Sequence, residues 1–394
     1  MQVSWQGFYG VFSPEPEEIQ VQKPNFIKSA KMAAGLLFQG RVTLTFDQIL
    51  FHYRDVPLKK RINFIIQGIQ LFSRSVNRAG IPVILQIEPS NICNLHCLTC
   101  ATGADLVTRQ PACMSFEMFR QIIDQVKDYV YLLVFWSWGE PFMNRDAPRM
   151  IRYAKEQGLL VHTSTNGHFF STREEARSVI ESGLDSLIVA VDGLDQATYE
   201  KYRQGGSLEK VIRGIENLVT ERASLGYSGP RITLRFIVMK HNEHQVVQVE
   251  NFARNLGVDA YSFRSALARR SRVDYGEELI PKSPEFQRYN YKASQTDGKG
   301  RQQLNNYCHR PYANLTIFSN GDVVACENDF NAAAPLGNAS KQRIGDIISS
   351  GKARNFFKVF SRDPVQFDFC RECESRYSTG HTPNIQTNEV TRGS

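Results

Sequence analysis

Three cysteines stand at i, i+4 and i+7 in Cys93-Asn94-Leu95-His96-Cys97-Leu98-Thr99-Cys100, and no fourth is near enough in sequence to close a tetrahedral site. Structural zinc and ordinary ferredoxin-type sites take four thiolates, commonly in pairs two residues apart. Three thiolates on one loop suit three irons of a 4Fe–4S cluster, with the fourth iron left open to a ligand from outside the chain. A second constellation lies toward the C-terminus: Cys308, Cys326 and the C-x-x-C pair Cys370 and Cys373. Four cysteines suffice for one fully ligated 4Fe–4S cluster, and they also fit a zinc ribbon. Cys113 stands outside both sets and reads as a structural thiol. The histidines show no ligand spacing, and His96 packs or hydrogen-bonds rather than binding metal.

The cysteine loop needs a rigid element to deliver it, and Val83 to Ile87 reads as a strand that ends just before it. Ser115 then caps a helix through about Lys127, Val130 to Trp136 is a buried strand, and a helix from Ala147 to Gln157 ends at Gly158. Further strands fit Leu159 to Thr163, Ser186 to Val191, Arg231 to Met239 and Ala260 to Arg264. Helices fit Glu174 to Ser182, Tyr199 to Leu225 and Glu243 to Leu256. Six βα repeats in succession imply a parallel sheet with right-handed crossovers. Ligands of such sheets sit at the C-terminal strand ends. There this sequence carries Trp138-Gly139-Glu140-Pro141, Thr163-Ser164-Thr165-Asn166-Gly167 and Val191-Asp192-Gly193.

These motifs together resemble the radical S-adenosylmethionine (radical SAM) superfamily. The resemblance runs from about residue 82 to 375 and implies an α/β fold, a partial (β/α)6 TIM-like barrel. It implies that Cys93, Cys97 and Cys100 hold a 4Fe–4S cluster whose open iron takes the amino and carboxylate groups of SAM. Reductive cleavage then gives a 5′-deoxyadenosyl radical that abstracts hydrogen from substrate. Gly139, Glu140 and Pro141 match the family's GGEP-like segment, with Trp138 in place of its first glycine, and imply a grip on the SAM amino group. Thr165, Asn166 and Asp192 sit where the family has TNG and S-x-DG segments, although Ala190 replaces that serine, and are candidates for SAM or substrate. Arg203, in Tyr202-Arg203-Gln204-Gly205-Gly206-Ser207, resembles a family arginine near the SAM carboxylate. Thr99 departs from a frequent aromatic residue there, so other groups must hold the adenine. Cys113 has a sharper alternative role as hydrogen donor to a substrate radical.

The C-terminal cysteines resemble the auxiliary-cluster module called SPASM in its full form and twitch in its shortened form. Cys308 and Cys326 flank Leu315 to Ala325, which reads as a hairpin turning at Asn320-Gly321-Asp322, and Gly337-Asn338 with Ile344-Gly345-Asp346-Ile347 resemble further signals of the module. The full pattern has seven cysteines for two clusters, so four imply a single auxiliary 4Fe–4S cluster. The resemblance implies a flavodoxin- or ferredoxin-type reductant and a maturase-type oxidoreductase acting on a peptide side chain or a small polar metabolite. The alternative is a non-catalytic iron–sulfur or zinc-binding protein, although an electron carrier gains nothing from an open iron.

A chain of 394 residues with 42% hydrophobic and 11% aromatic residues can bury a large core and divides into two or three units. We expect a helical extension over 1–80, a core over 81–266, a linker over 267–305, the cysteine module over 306–376 and a flexible tail over 377–394. In the extension, Phe26 to Phe38 and Arg61 to Val76 have helical spacing, the latter with Ile62, Ile65, Ile66, Ile69 and Phe72 on one face. A net charge of +7 is mild for this length, and no basic-aromatic motif points to nucleic acid; the cluster Arg269, Arg270 and Arg272 reads as a solvated loop. No apolar run approaches the roughly 18 residues of a membrane span, and the N-terminus lacks the pattern of a secretory signal. Unpaired cysteines in metal-like spacings point to a reducing, cytoplasmic setting.

Overall fold

The computed structural model describes residues 35–266, 279–287, 308–371, 373 and 385–390. The arginine cluster at 269–272, residues 26–34 of the helix expected over Phe26 to Phe38, and most of the tail lie outside the described residues.

Six parallel strands form the centre, in the order β3 (Ile84–Ile87), β4 (Leu132–Val134), β5 (Leu160–Thr165), β6 (Ser186–Ala190), β7 (Arg231–Val238) and β8 (Ala260–Ser265). Their sequence order equals their spatial order, as right-handed βα units produce. The strands are buried throughout or nearly so, because helices cover one face and other material covers the opposite one. The outer helices are α2 (Phe116–Val126), α3 (Ala147–Glu156), α4 (Arg173–Glu181), α5 (Gln196–Glu200), α6 (Leu208–Ser224) and α7 (Val249–Asn255). Ser115 caps α2 by accepting from the Met118 N–H, and Thr172 with Glu175 closes a full capping box on α4. The helix expected from Tyr199 to Leu225 divides into α5 and α6, and the turn between them carries Arg203.

The helical reading of residues 1–80 holds only in part. Before α1 (Leu58–Ser73) comes a β-hairpin, β1 (Val42–Phe46) and β2 (Ile49–Tyr53), turning through Asp47 and Gln48, both at positive φ. Such two-residue turns ordinarily carry Asn-Gly or Asp-Gly, so the sequence lacked its usual signal. The hairpin packs on the sheet face opposite α2. Phe135 points to Phe119 of α2, whereas its neighbour Trp136 meets Phe46 of the hairpin. Phe46 and Phe51 also pack edge-on to His162 of β5, and Asp47 pairs with Arg235 of β7 at 2.8 Å. Burial pushes the His162 imidazole down to about 4 and holds it neutral.

The face that α1 buries is also not the expected one. Ile62 and Ile69 are 47% and 62% exposed, while Asn63, Phe64, Gln67 and Leu71 turn inward. Asn63 explains the choice, since its amide donates to the Ile81 carbonyl at 2.7 Å and accepts from the Ile81 N–H at 3.1 Å. Tertiary hydrogen bonding overrides the apolar stripe here.

The cysteine module joins the same sheet. β9 (Asn314–Ile317) runs parallel to β3, then β10 (Asp322–Val324) and β11 (Gly337–Asn338) follow antiparallel. Helices α8 (Ile344–Ser349) and α9 (Gly351–Arg362) complete it. At the other edge, β12 (Ile385–Glu389) pairs antiparallel with β8. The segment 377–394, expected to be flexible, therefore contains an ordered strand, because β8 offers an unpaired row of backbone donors and acceptors. Among the described residues no helix is long and apolar enough to cross a membrane.

Candidate functional site

The cysteine loop leaves β3 at its C-terminal end and folds back on itself. The Cys100 N–H reaches the Cys97 carbonyl at 3.2 Å, and a Cβ at Gly103 would lie 2.5 Å from the Cys97 backbone, so that return requires glycine. Cys97 is buried, Cys93 and Cys100 are half-buried, and all three thiols are unpaired by disulfide. Burial pushes Cys93 up to about 12 and raises Cys97 as well. A ligand that holds them as thiolates must therefore displace protons. Cys93 lies close enough to feel both Cys97 and Cys100, and Cys97 feels Cys100.

Residues at the next strand ends close around this loop. Gly139 adopts φ +130°, and a Cβ there would sit 2.3 Å from the Ser90 carbonyl, while the Glu140 N–H donates to the Ile92 carbonyl at 2.9 Å. Gly-Glu-Pro is thus bonded directly onto the backbone that leads into Cys93. Pro141 opens a 3₁₀ turn that the Glu140 carboxyl caps through the Phe142 N–H at 3.2 Å. The same carboxyl accepts from the Thr165 hydroxyl at 2.7 Å and from the Asn166 N–H at 2.8 Å. Burial nevertheless pushes it up to about 7. Thr165 therefore holds Glu140 in place. The Asn166 side chain donates to Asn94 Oδ1 at 2.8 Å and lies 3.8 Å from the Cys93 sulfur.

On the other flank, Asp192 is fully buried and accepts from the Ile237 N–H at 2.7 Å and from Arg203 Nε at 2.5 Å. The Arg203 guanidinium reaches the Cys97 sulfur at 3.4 Å. The turn carrying Arg203 docks on the cysteine loop, with the His96 N–H donating to the Gln204 carbonyl at 3.0 Å. Thr99 shares a 2.7 Å hydrogen bond with the Tyr202 hydroxyl, both buried. Tyr202 thus sets an aromatic side chain beside the threonine at position 99, a pairing that no spacing in the sequence announces. Asn94 and His168 were also not singled out; His168 Nε2 accepts from the Ser207 N–H at 2.9 Å and so fixes the Arg203 turn. Of the seven positions proposed for cofactor contact, Glu140, Asn166 and Arg203 bond to the cysteine loop or the backbone entering it, Gly139 abuts that backbone, and Pro141, Thr165 and Asp192 stand behind them. This donor set, with an acidic flank at Glu140 and a cation at Arg203, fits a three-thiolate cluster and a zwitterionic ligand.

The second constellation forms around the start of β9 and the end of β10. Cys326 feels both Cys308 and Cys373, Cys308 feels Cys373, and Arg310 lies among them, paired with Glu327 at 2.9 Å. Burial raises the Cys308 and Cys326 thiols. Asn328 Nδ2 donates to the Cys373 sulfur at 3.2 Å, and one backbone bond joins Cys373 to Cys370 within a single turn. The donors are all sulfur, which fits an iron–sulfur cluster. Cys113 is exposed beside Ser90, outside both sets.

The profile of the radical SAM superfamily matches residues 87–253, and that of an iron–sulfur cluster-binding domain, SPASM, matches residues 308–374. Among curated proteins, the Fe-coproporphyrin III synthase of Methanosarcina barkeri is 31% identical over 155 residues, 39% of this chain and 36% of that protein. A cofactor-modifying protein for the tungsten-containing aldehyde ferredoxin oxidoreductase of Pyrococcus furiosus is 29% identical over 45% of this chain and 49% of its own length. The chain thus spans half or less of these two relatives. The PqqA peptide cyclase of Streptomyces rochei is 23% identical over 76% of this chain and 83% of that protein. Among solved structures, Streptococcus suis SuiB bound to S-adenosylmethionine superposes with a TM-score of 0.56 at 16% identity, covering 82% of this chain and 78% of that one. The fold is therefore that of the radical SAM enzymes, and these relatives are enzymes. This chain thus carries a radical SAM domain over residues 87–253 and a SPASM-type iron–sulfur cluster-binding module over residues 308–374.

Proposed function

We propose that this enzyme cleaves SAM at a 4Fe–4S cluster held by Cys93, Cys97 and Cys100, and that its substrate is a ribosomal peptide or protein side chain. The observation that carries the chemistry is the placement of Glu140 beside Cys93 and of Arg203 on Cys97, on opposite flanks of a loop with one buried and two half-buried thiols. When bound, the cluster supplies the electron that splits SAM into methionine and an adenosyl radical. The protein's part is positioning and the exclusion of water.

Glu140, held by Thr165 and Asn166, presents a buried carboxyl beside Cys93 where an ammonium gains most. Arg203, oriented by Asp192, balances negative charge at Cys97 and offers its remaining N–H groups to a carboxylate. Gly139 and Pro141 shape the backbone that brings Glu140 there. Cys308, Cys326, Cys370 and Cys373 would hold one auxiliary 4Fe–4S cluster, which would take the second electron from the substrate radical or help orient the substrate. A flavodoxin- or ferredoxin-type protein is the reductant that this chemistry calls for.

The peptide reading is supported by relatives matched over about three quarters of the chain: the PqqA peptide cyclase, and the mycofactocin maturase of Mycolicibacterium smegmatis at 24% identity over 74% of this chain. The test is anaerobic reconstitution followed by iron analysis and EPR with and without SAM. Wild type should hold about eight irons, falling to about four in a Cys93/Cys97/Cys100→Ala variant, with a SAM-perturbed signal in wild type alone. A reduced protein with intact clusters that never cleaves SAM would refute the reading. Mass spectrometry of a candidate precursor peptide after turnover, compared with small polar metabolites, then decides the substrate class.

A further inference from the structure

Trp138 stands where the resembling family segment has glycine, so its side chain is an addition to that segment. The indole Nε1 donates to the Glu327 carbonyl at 2.7 Å, one residue past Cys326. Its ring also meets Phe330 edge-on at 5.6 Å. Its backbone N–H donates to Glu88 at 3.3 Å, and Glu88 is a buried hub. Glu88 binds Arg109 in two parallel bonds of 2.7 and 2.8 Å and accepts from the Ser319 N–H and hydroxyl at 3.2 and 3.1 Å. Arg109 in turn donates to the Phe330 carbonyl at 2.7 Å and lies 3.8 Å over the Phe318 ring. The segment holding Glu140 is thus fixed to the module holding Cys326 by side chains from both sides.

We propose that Trp138 is a positioning residue that couples the two cluster sites. The link from Cys326 through Glu327, Trp138 and Gly139 to Glu140 is short and contains one hydrogen bond between side chain and backbone. Its two ends are stiff: Gly139 is wedged against Ser90, and the turn after Cys326 is closed by Asp329, which accepts from the Ala333 and Ala334 N–H groups. When Cys326 is drawn onto a cluster, the Glu327 carbonyl is fixed, the indole is fixed by it, and Glu140 is set for the SAM ammonium. Linkage makes the effect reciprocal, so SAM also favours the loaded auxiliary site. A glycine at 138 would remove the indole bond to the Glu327 carbonyl and leave side-chain links such as Glu88 and Gln86 between the two sites.

The inference rests on the reading that the four C-terminal cysteines hold a cluster. The experiment is a double-mutant cycle on reconstituted protein, with SAM affinity measured anaerobically by calorimetry in wild type, Cys326→Ala, Trp138→Phe and the double variant. Removing the auxiliary site should weaken SAM at least about five-fold in wild type and less than about two-fold in the Trp138→Phe background. Phe330→Leu keeps the indole N–H and should keep the coupling. Potentiometric EPR supplies a second readout: SAM should shift the auxiliary cluster's midpoint potential in wild type and leave it in place in Trp138→Phe. Equal losses in both backgrounds, or none in wild type, would overturn the coupling. About four irons in wild type would instead remove the auxiliary cluster itself, and that result is read separately from the iron content.

Discussion

Glu140 sits at the meeting point of most of the local interactions, and its neighbours say how tightly it is held. Replacing it with Gln keeps the shape but removes the charge offered to an ammonium, so SAM affinity should fall at least about ten-fold while the cluster still assembles. Calorimetry and iron analysis on the same sample separate the two effects. Gly139→Ala tests the backbone instead. The Cβ would collide with the Ser90 carbonyl at a φ that side chains rarely adopt, so we expect a loss above about 1 kcal/mol in unfolding experiments on cluster-free protein. The cysteine loop and the Gly-Glu-Pro turn were legible in the sequence because such chemistry fixes residue type and spacing together. Tyr202, Asn94 and His168 were not, since each acts by touching a partner brought near by folding.

The hairpin of β1 and β2 places Phe46, Phe51 and Asp47 against the inner face of the sheet, and His162 lies between these rings. Burial lowers the imidazole, with Arg235 pushing the same way and Asp47 opposing. A folded-state value of about 4 below an unfolded value near 6.5 means the native state binds the proton less readily than the unfolded chain. Stability is therefore fully present above pH 6.5 and drains away as pH falls toward 4, by roughly 1.4 kcal/mol per unit at most. His162→Gln should flatten that part of the acid unfolding curve, measured by denaturant titration at several pH values. The elements themselves were read with uneven success. The strands and helices of the six repeats follow strong patterns of burial, whereas the hairpin turns at Asp47-Gln48 without the glycine that would have marked it. The inward face of α1 was misread because Asn63 and Gln67 are recruited by backbone groups, Ile81 and Ala79, from elsewhere in the chain.

The lead-in helix and the cysteine module are tied to each other as well as to the core. Arg78 donates to Gln67 at 2.9 Å and to the Tyr312 carbonyl at 2.6 Å, with its guanidinium 5.3 Å from the Phe357 ring centre. Arg78→Ala should cost about 2–4 kcal/mol, because it removes the buried donor shared by Gln67 Oε1 and the Tyr312 carbonyl. Differential scanning calorimetry should then show the C-terminal module melting ahead of the core, where wild type melts together. Domain boundaries alone would not have suggested this, since the contact joins residues more than two hundred positions apart.

Both edges of the six central strands are closed by strands from the last part of the chain. Ile84 of β3 pairs with Asn314 of β9, and Ala260 of β8 pairs with Glu389 of β12. During synthesis, the six repeats therefore leave the ribosome with two open rows of amides and carbonyls, and the second is covered only once residue 389 emerges. Exposed edges of that kind recruit other chains. The nascent protein thus passes through an interval in which its six repeats are built and still adhesive, and a chain cut short before β12 should yield aggregates rather than a smaller enzyme.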